Sequence, residues 1–259
     1  MKKTIKNKIL ISSGFKNIHI INQAFEAQKN HRLFAIITGY IPQTKIVNLI
    51  KLWPFNKIKK LKKLIERKNN IKDKNIINYK FGEVVNEIII RLRGKLKKKH
   101  KIFDLATQFI FKSYALFVKK ILIKNHENIK IYHYRSGFGG VSVDYAKTKN
   151  IFCICDHTIA HPTIVEYMIE NKGNFPTKKI PMRNNWWKLV ISDINNADLV
   201  LANSNFVKQT LIFMGCKTPI KVIYTGVSKS FENNILFKKK YFINNSINIL
   251  YSGGLVKRK

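Results

Sequence analysis

Residues 197–208 read ADLVLANSNFVK, and they contain a clear local pattern of secondary structure. After Asp198 the segment is short and apolar, which predicts a buried β-strand. Ser204 is suited to cap a following helix, because its hydroxyl can accept a hydrogen bond from an early helical amide. A strand that runs at once into a helix is the repeating unit of a parallel α/β sheet.

The same unit recurs along the chain. Short apolar runs that predict strands cover residues 8–13, 33–38, 129–134, 151–155, 198–202 and 220–224, and residues 17–30 predict the first helix. We therefore predict an α/β fold, a Rossmann-like parallel sheet with helices on both faces.

Ligands of such sheets bind outside the carboxyl ends of the strands. The candidate substrate-binding residues in the loops after the predicted strands are Gly14, Lys16, Ser136, Gly137, Gly139, Gly140, Thr158 and His161. The glycines at 137–140 allow close approach of the backbone to a ligand, and a helix is predicted to begin near Val141. A plain turn explains this loop equally well.

His157 is our candidate catalytic residue. It ends the stretch FCICDH at 152–157, at the carboxyl end of a predicted strand. A neutral imidazole can donate or accept a hydrogen bond with a ligand hydroxyl. We expect His157 to lie at the crevice edge with few core contacts. The spacing of Cys155, His157 and His161 matches no closed zinc pattern, so we predict no metal.

Three ordered segments near the C-terminus carry a family resemblance. Residues 197–208 are followed by KVIYTGV at 221–227 and by INILYSGGLVKRK at 247–259. In this order they resemble the family 4 glycosyltransferases, whose GT-B fold sets two Rossmann-like domains across a cleft. Thr225 and Ser228 replace the family's asparagine and aspartate, and Gly254 stands at the position of the family's arginine.

The resemblance implies a division into domains. Residues 1–231 would form the N-terminal, acceptor-binding domain, with a basic helical insertion near 43–125. Residues 232–259 would form the interdomain segment and the incomplete start of the nucleotide-sugar-binding domain. The chain would then be truncated there, as a fragment, a broken gene product or one half of a split enzyme whose C-terminal half is separately encoded.

The resemblance also implies an activity. The implied activity is that of a retaining hexosyltransferase. Such an enzyme would move a sugar from a nucleotide-activated donor to a glycan or lipid-linked acceptor, in cell-surface glycan or glycolipid synthesis. His157 would face the transferred sugar, and Gly253 and Lys259 would lie at the donor diphosphate, where negative charge develops. The donor is a substrate, and no cofactor is expected. We expect the isolated chain to be inactive, and a non-enzymatic remnant or a basic surface-binding protein is the alternative.

The charge of the chain is extreme. It has 49 Lys and Arg residues against 14 Asp and Glu residues, which gives a net charge of +35. Such a charge favours polyanions or anionic membranes, but Lys, Asn and Ile share AT-rich codons, so genome composition is an equal explanation. The sequence contains no helix-turn-helix, finger or aromatic-bearing sheet motif, which argues against nucleic acid as a partner.

The insertion contains two basic amphipathic segments, at 46–68 and 83–101. The first places Trp53 and Phe55 beside a cluster of lysines. A core-packing helix with a solvated charged face explains this pattern, and so does binding to an anionic membrane surface near Trp53 and Phe55.

Cysteine content and hydropathy bear on the compartment. Three cysteines are too few for a disulfide framework, and Cys153 and Cys155 alternate, so both are predicted to face one buried side. No apolar run approaches the roughly 20 residues that span a bilayer. We therefore expect a cytoplasmic protein, with peripheral attachment to the inner face of the membrane as the open alternative.

Overall fold

The structure is a computed structural model, and it describes residues 7–15, 20–52, 65, 67–68, 70–95, 100–182, 185–224, 226, 242–243 and 246–247. The sequence predictions at Lys16, Trp53, Phe55, Gly253 and Lys259 lie outside these residues.

A seven-stranded, all-parallel sheet forms the centre of the described chain. Its strands are β1 (Lys8–Gly14), β2 (Leu33–Thr38), β3 (Ile76–Asn78), β4 (Ile129–Arg135), β5 (Phe152–His157), β6 (Leu199–Ala202) and β7 (Ile220–Val222). Their order is β3-β2-β1-β4-β5-β6-β7. This is the Rossmann arrangement, in which the strand order reverses between β1 and β4, and it confirms the predicted fold class.

Helices connect the strands. Within the described residues they are α1 (Ile20–Lys29), α2 (Thr44–Leu52), α3 (Lys80–Lys95), α4 (His100–Asn125), α5 (Val141–Thr148), α6 (Pro162–Glu170), α7 (Asn185–Asn195) and α8 (Asn205–Phe213). The predicted cap of α8 is confirmed, since the Ser204 hydroxyl accepts a hydrogen bond from the backbone N–H of Val207 at 3.2 Å. The helix predicted to begin near Val141 is confirmed as α5.

Apolar side chains cover both faces of the sheet. On one face, Ile11 and Ile36 pack with Ile20 and Ala24 of α1. The larger core, on the other face, contains tyrosines and cysteines of β4 and β5 together with α4, α5 and α7: Tyr114, Tyr132, Tyr134, Val143, Cys153, Cys155 and Ile194. Cys153 and Cys155 are both buried in this core, as predicted.

The main differences from the sequence predictions concern two strands and one helical segment, and β7 also ends at Val222, two residues before its predicted end. Strand β3 was not predicted, because it has three half-buried residues at the sheet edge and therefore a weak apolar signal. The segment predicted as one helix at 83–101 contains the end of α3 at Lys95 and the start of α4 at His100. Strand β5 continues two residues beyond the predicted end, so His157 belongs to the strand itself.

A small antiparallel pair, Phe242–Ile243 with Ser246–Ile247, is separate from the parallel sheet. Among the residues that the structure describes, no helix is both long enough and apolar enough to cross a bilayer.

Candidate functional site

Ligands of parallel α/β sheets bind beyond the carboxyl ends of the strands, near the point where the strand order reverses. In this chain that point is the end of β1. The Gly14 backbone N–H donates a hydrogen bond to the hydroxyl of Tyr114 at 3.1 Å, and that hydroxyl donates in turn to the Ile37 carbonyl at 2.9 Å. Burial raises the pKa of Tyr114. The amide that a ligand phosphate would use at this turn is therefore bonded to a side chain of α4.

Aromatic rings fill the space beyond this turn. Phe15 packs edge-to-face against Phe138 with ring centroids 5.3 Å apart, and Phe111 stacks on Phe138 at 4.1 Å. Gly14 has a φ of +71°, and a Cβ atom at this position would lie 2.5 Å from the Phe138 ring. Only glycine fits here, because both the left-handed backbone and the ring exclude a side chain.

The glycine loop after β4 surrounds a carboxylate. Asp193 of α7 accepts backbone hydrogen bonds from Gly137 at 2.7 Å, Gly139 at 2.8 Å and Gly140 at 2.6 Å. Burial raises the pKa of Asp193 to about 6, and these three hydrogen bonds oppose that rise. A nest of amides before a helix suits an anion, and here the protein supplies its own.

In this structure, therefore, neither of the two predicted glycine loops has its backbone N–H groups free to bind a ligand. The amides of Gly14, Gly137, Gly139 and Gly140 all bond to side chains of the chain itself. Their roles as ligand contacts remain predictions. A ligand at this edge would meet side chains instead.

Side chains line a cavity of about 570 Å³ at the carboxyl ends of β4 and β5. Its wall includes residues from α3, α4, α6 and α7: Asn86, Ile89, Arg93, Asp104, Thr107, Phe111, Glu166, Trp187 and Val190. The two strands contribute Arg135, Ser136 and Thr158 from their ends. Ser136 and Thr158 were predicted as substrate-binding residues, and the structure brings them to the same cavity.

The cavity combines aromatic rings with hydrogen-bonding groups. Glu166 accepts a hydrogen bond from the indole N–H of Trp187 at 3.0 Å, and Arg93 lies 3.5 Å from Asp104. Burial lowers the pKa of Arg135, and Asp156 opposes that effect. Apolar walls with a few fixed polar groups are typical of small-molecule sites, and carboxylates accept hydrogen bonds from hydroxyl groups.

The sequence predictions missed Glu166 and Trp187. Glu166 lies on the helix that directly follows the predicted loop at His157, and it is one of only 14 acidic residues in a strongly basic chain. That rarity was a usable signal for Glu166. Trp187 is part of a tandem pair of tryptophans at the start of α7, which was also visible in the sequence.

His157 lies behind the cavity. It is 1% exposed, so the expectation of a crevice-edge side chain with few core contacts is wrong. Because β5 continues to His157, this residue belongs to the buried end of the strand and not to an open loop. Its Nδ1 is 2.8 Å from the Ser136 hydroxyl, which joins it to a cavity-lining residue. Burial, together with a smaller effect of the neighbouring His161, lowers the pKa of His157 to about 4, so the ring is neutral near pH 7.

Several buried polar atoms near the ends of β5 and β6 have no hydrogen-bond partner among the described residues. They are His157 Nε2, His161 Nδ1, Thr163 Oγ1 and Asn203 Oδ1. Burial lowers the pKa of His161 to about 4, so this ring too is neutral near pH 7. Because buried polar groups are normally hydrogen-bonded, these atoms are suited to meet a hydroxylated ligand or water. In the described part of the chain, no three His, Cys, Asp or Glu side chains are grouped to hold a metal ion.

Three solved structures align with the chain at low identity. They are the OtsA apo structure (10% identity, TM-score 0.43), UGT71G1 of Medicago truncatula complexed with UDP-glucose (10%, 0.42) and a UDP-glucosyltransferase of Polygonum tinctorium (11%, 0.38). The alignments cover 86%, 86% and 85% of this chain and 50%, 52% and 52% of those chains. The chain thus spans about half the length of these structures. No curated protein matches it.

The family comparison is more direct. The model of glycosyltransferase family 4 matches residues 86–231, which is more than half of the chain and includes β4 to β7 and the cavity-lining residues of these strands. This match includes the segments at 197–208 and 221–227 and confirms the resemblance, while the segment at 247–259 lies beyond it. The chain therefore belongs to glycosyltransferase family 4.

Proposed function

We propose that this chain supplies the acceptor side of a retaining glycosyltransferase, which moves a sugar from a nucleotide-activated donor to a glycan or lipid-linked acceptor of the cell surface. The observation that carries the proposal is the cavity at the carboxyl ends of β4 and β5, in a chain of this family. In Rossmann-like sheets, ligands bind at this edge.

The cavity suits a hydroxylated acceptor. Glu166 can accept a hydrogen bond from an acceptor hydroxyl, while the partly buried Trp187 offers an apolar surface to a sugar ring. Ser136 and Thr158 add hydroxyls that both donate and accept. A volume of about 570 Å³ is within the range of small-molecule sites.

His157 orients the site in this proposal. The neutral ring fixes the Ser136 hydroxyl at 2.8 Å, and its Nε2 remains available to a hydroxyl of the transferred sugar. Positioning of this kind lowers the barrier because donor and acceptor must be held together for reaction. The donor diphosphate is bound by a second Rossmann-like half, on the same polypeptide or separately encoded, with Lys259 at that contact. These roles rest on the family resemblance.

The test is a transfer assay on the chain combined with a nucleotide-sugar-binding half from a family 4 enzyme. Labelled sugar nucleotides are offered with free and lipid-linked acceptors, and NMR reads the anomeric configuration of the product. We expect turnover with retained configuration, and we expect the chain alone to give none. His157→Gln should lower kcat at least tenfold, while His126→Gln, on the surface after α4, should leave it unchanged.

Three results would contradict the proposal: turnover by the chain alone, an inverted product, or equal kcat for His157→Gln and His126→Gln. Thermal unfolding of both variants, measured alongside, separates a loss of turnover from a loss of fold.

A further inference from the structure

Helix α3 lines two different cavities with two different sides. One side belongs to the cavity at the ends of β4 and β5, through Asn86, Ile89, Ile90 and Arg93. The other side lines a further cavity of about 600 Å³, through Lys80, Glu83, Val84, Glu87, Ile88 and Arg91. These six residues recur at the spacing of one helix face. We call this space the second cavity, and the proposed function makes no use of it.

The second cavity lies beyond the carboxyl ends of β2 and β3. Tyr40 and Lys80, two residues after the ends of these strands, are both in its wall. Ligands of parallel α/β sheets bind at this edge. Most of the wall precedes residue 86, where the match to the family begins. The ligand of the second cavity must therefore follow from the chemistry of its own residues.

An ion pair forms the inner wall of the second cavity. Arg67 Nη1 lies 2.5 Å from Oε1 of Glu83 and donates to the Tyr40 carbonyl at 3.4 Å. Glu83 is only 8% exposed, and its Oε2 has no hydrogen-bond partner among the described residues. Buried charges are costly unless they are fully hydrogen-bonded, so this wall is suited to meet further polar groups.

Two cations lie at the mouth of the second cavity. Lys80 and Arg91 are exposed, and neither forms an ion pair with another residue that the structure describes. The Lys80 ammonium lies over the Tyr40 ring, 5.3 Å from its centroid. Because Arg67 neutralises Glu83, the remaining charges are these two cations and the half-buried carboxylate of Glu87. The cavity thus favours an anion.

Apolar side chains lie between the charged groups. Val84 and Ile88 are 59% and 50% exposed, although such residues on a surface helix are usually covered. An apolar patch beside a few polar groups is typical of a small-molecule site. A ligand for this cavity therefore needs an apolar side as well as a negative charge.

We propose that the second cavity binds a sugar that carries a carboxylate or a phosphate. The anion contacts Lys80 and Arg91, since ammonium and guanidinium groups bind both kinds of anion. The ring hydroxyls donate hydrogen bonds to Glu87, and the C–H face of the ring covers Val84 and Ile88. A purely apolar ligand leaves the charged groups without partners, and a bare anion leaves the apolar patch in water.

This binding goes beyond glycosyl transfer and does not depend on it. As part of that reaction, the second cavity selects acceptors that contain an acidic sugar. That selective role rests on the proposed function, whereas the binding of the acidic sugar does not.

NMR titration of the isotope-labelled full chain measures the binding without any transfer reaction. The probes are methyl glucuronide, glucose 6-phosphate, neutral methyl glucoside and inorganic phosphate. We expect the two acidic sugars to bind at least about fivefold more tightly than the neutral glycoside and inorganic phosphate. Their affinity should decline with salt, because the cations at the mouth are exposed.

Charge variants test the contact with the anion. Lys80→Gln with Arg91→Gln should weaken binding of both acidic sugars about fivefold and leave the neutral glycoside unchanged. The matched control is Arg32→Gln with Lys130→Gln, at exposed sites near the amino ends of β2 and β4. This control pair should bind every probe as the parent chain does.

A steric variant tests the cavity itself and leaves all charges in place. Ile88→Trp puts a larger side chain into the second cavity and should abolish binding of the acidic sugars. Ile212→Trp on α8, at a site that is 52% exposed, is the matched control and should not change it. Circular dichroism of every variant ensures that a lost fold is not read as lost binding.

Four results would overturn the proposal. They are equal affinity for methyl glucuronide and methyl glucoside, phosphate binding as tight as that of glucose 6-phosphate, an equal loss in site and control variants, and a loss with Glu166→Gln as large as with the charge variant. The last result would place the acidic sugar in the first cavity. If no neutral glycoside binds while the acidic sugars still require Lys80 and Arg91, the proposed function fails and the second site stands.

Discussion

At the scale of single residues, two buried and uncharged histidines lie near the carboxyl end of β5. His157 and His161 are neutral because burial lowers the pKa of each to about 4. A neutral ring can hold the Ser136 hydroxyl and still offer a second nitrogen to a ligand. Protonation at low pH would place charge in a buried region and disturb this arrangement.

The first prediction concerns stability against pH. Both histidines have a folded pKa below the ordinary value of 6.5, so the stability they contribute is present above pH 6.5 and is lost as pH falls toward 4. Each group can account for up to about 3 kcal/mol. Between pH 7 and pH 4.5 the parent chain should therefore lose roughly 3 kcal/mol or more beyond the loss of a variant carrying His157→Gln and His161→Gln.

Urea unfolding at the two pH values measures the difference. The raised pKa of Asp193 acts in the opposite direction, since its effect favours the folded chain at low pH, but it is common to both proteins and cancels in the comparison. His126→Gln should lose as much stability as the parent. A double variant with the same pH dependence as the parent would show that these two rings do not resist protonation.

At the scale of elements, Asp193 ties α7 to the loop between β4 and α5. It is 53 residues from Gly140 in sequence, yet it binds three amides of that loop. From its sequence the loop could bind a ligand through its backbone or form a plain turn, and in the structure its amides bind a carboxylate from a distant helix. No local pattern could identify this partner, because the contact exists only once the sheet has formed.

The second prediction is that Asp193→Ala destabilises the chain by at least about 3 kcal/mol, since it leaves three backbone donors unsatisfied, each costing about 1–3 kcal/mol. Asp193→Asn should cost less, because one oxygen acceptor remains. Asp144→Ala, on the neighbouring helix α5, should cost less than about 1 kcal/mol. Denaturant unfolding provides the values, and a similar loss for Asp193→Ala and Asp144→Ala would refute the structural role of Asp193.

Elements with a strong apolar signal were predictable. Strand β2 has the predicted bounds, and β4 and β6 differ from them by one residue at one end, because short apolar runs define buried strands directly. Helix α3 shows the limit. Its periodicity marks two faces but not which one is buried, and here the buried side holds Glu83, which pairs with Arg67, and Asn86 beside the apolar Ile89. Only the tertiary structure decides that choice.

At the scale of the whole molecule, the rule that ligands bind beyond the carboxyl ends of the strands points to the edge of the sheet where the cavity lies, but the sheet alone does not form the cavity. The rule placed Ser136 and Thr158, which follow strands. Glu166 and Trp187 come from helices that meet only in the folded chain. The net charge of +35 can likewise be read from the sequence. Only the structure shows that exposed apolar side chains of α3 and α4 lie on the same helices as some of the cations.

Saturation-transfer NMR of the chain with a panel of soluble glycosides measures whether the cavity receives a hydroxylated acceptor. We predict that at least one glycoside binds in millimolar or tighter range, and that Glu166→Gln weakens it about tenfold, because a hydrogen bond to a charged group contributes about 1.5–3 kcal/mol. Glu170→Gln, at the exposed end of α6, should bind as the parent does. Equal binding by the parent, Glu166→Gln and Glu170→Gln, or no saturation transfer to any glycoside, would contradict the account.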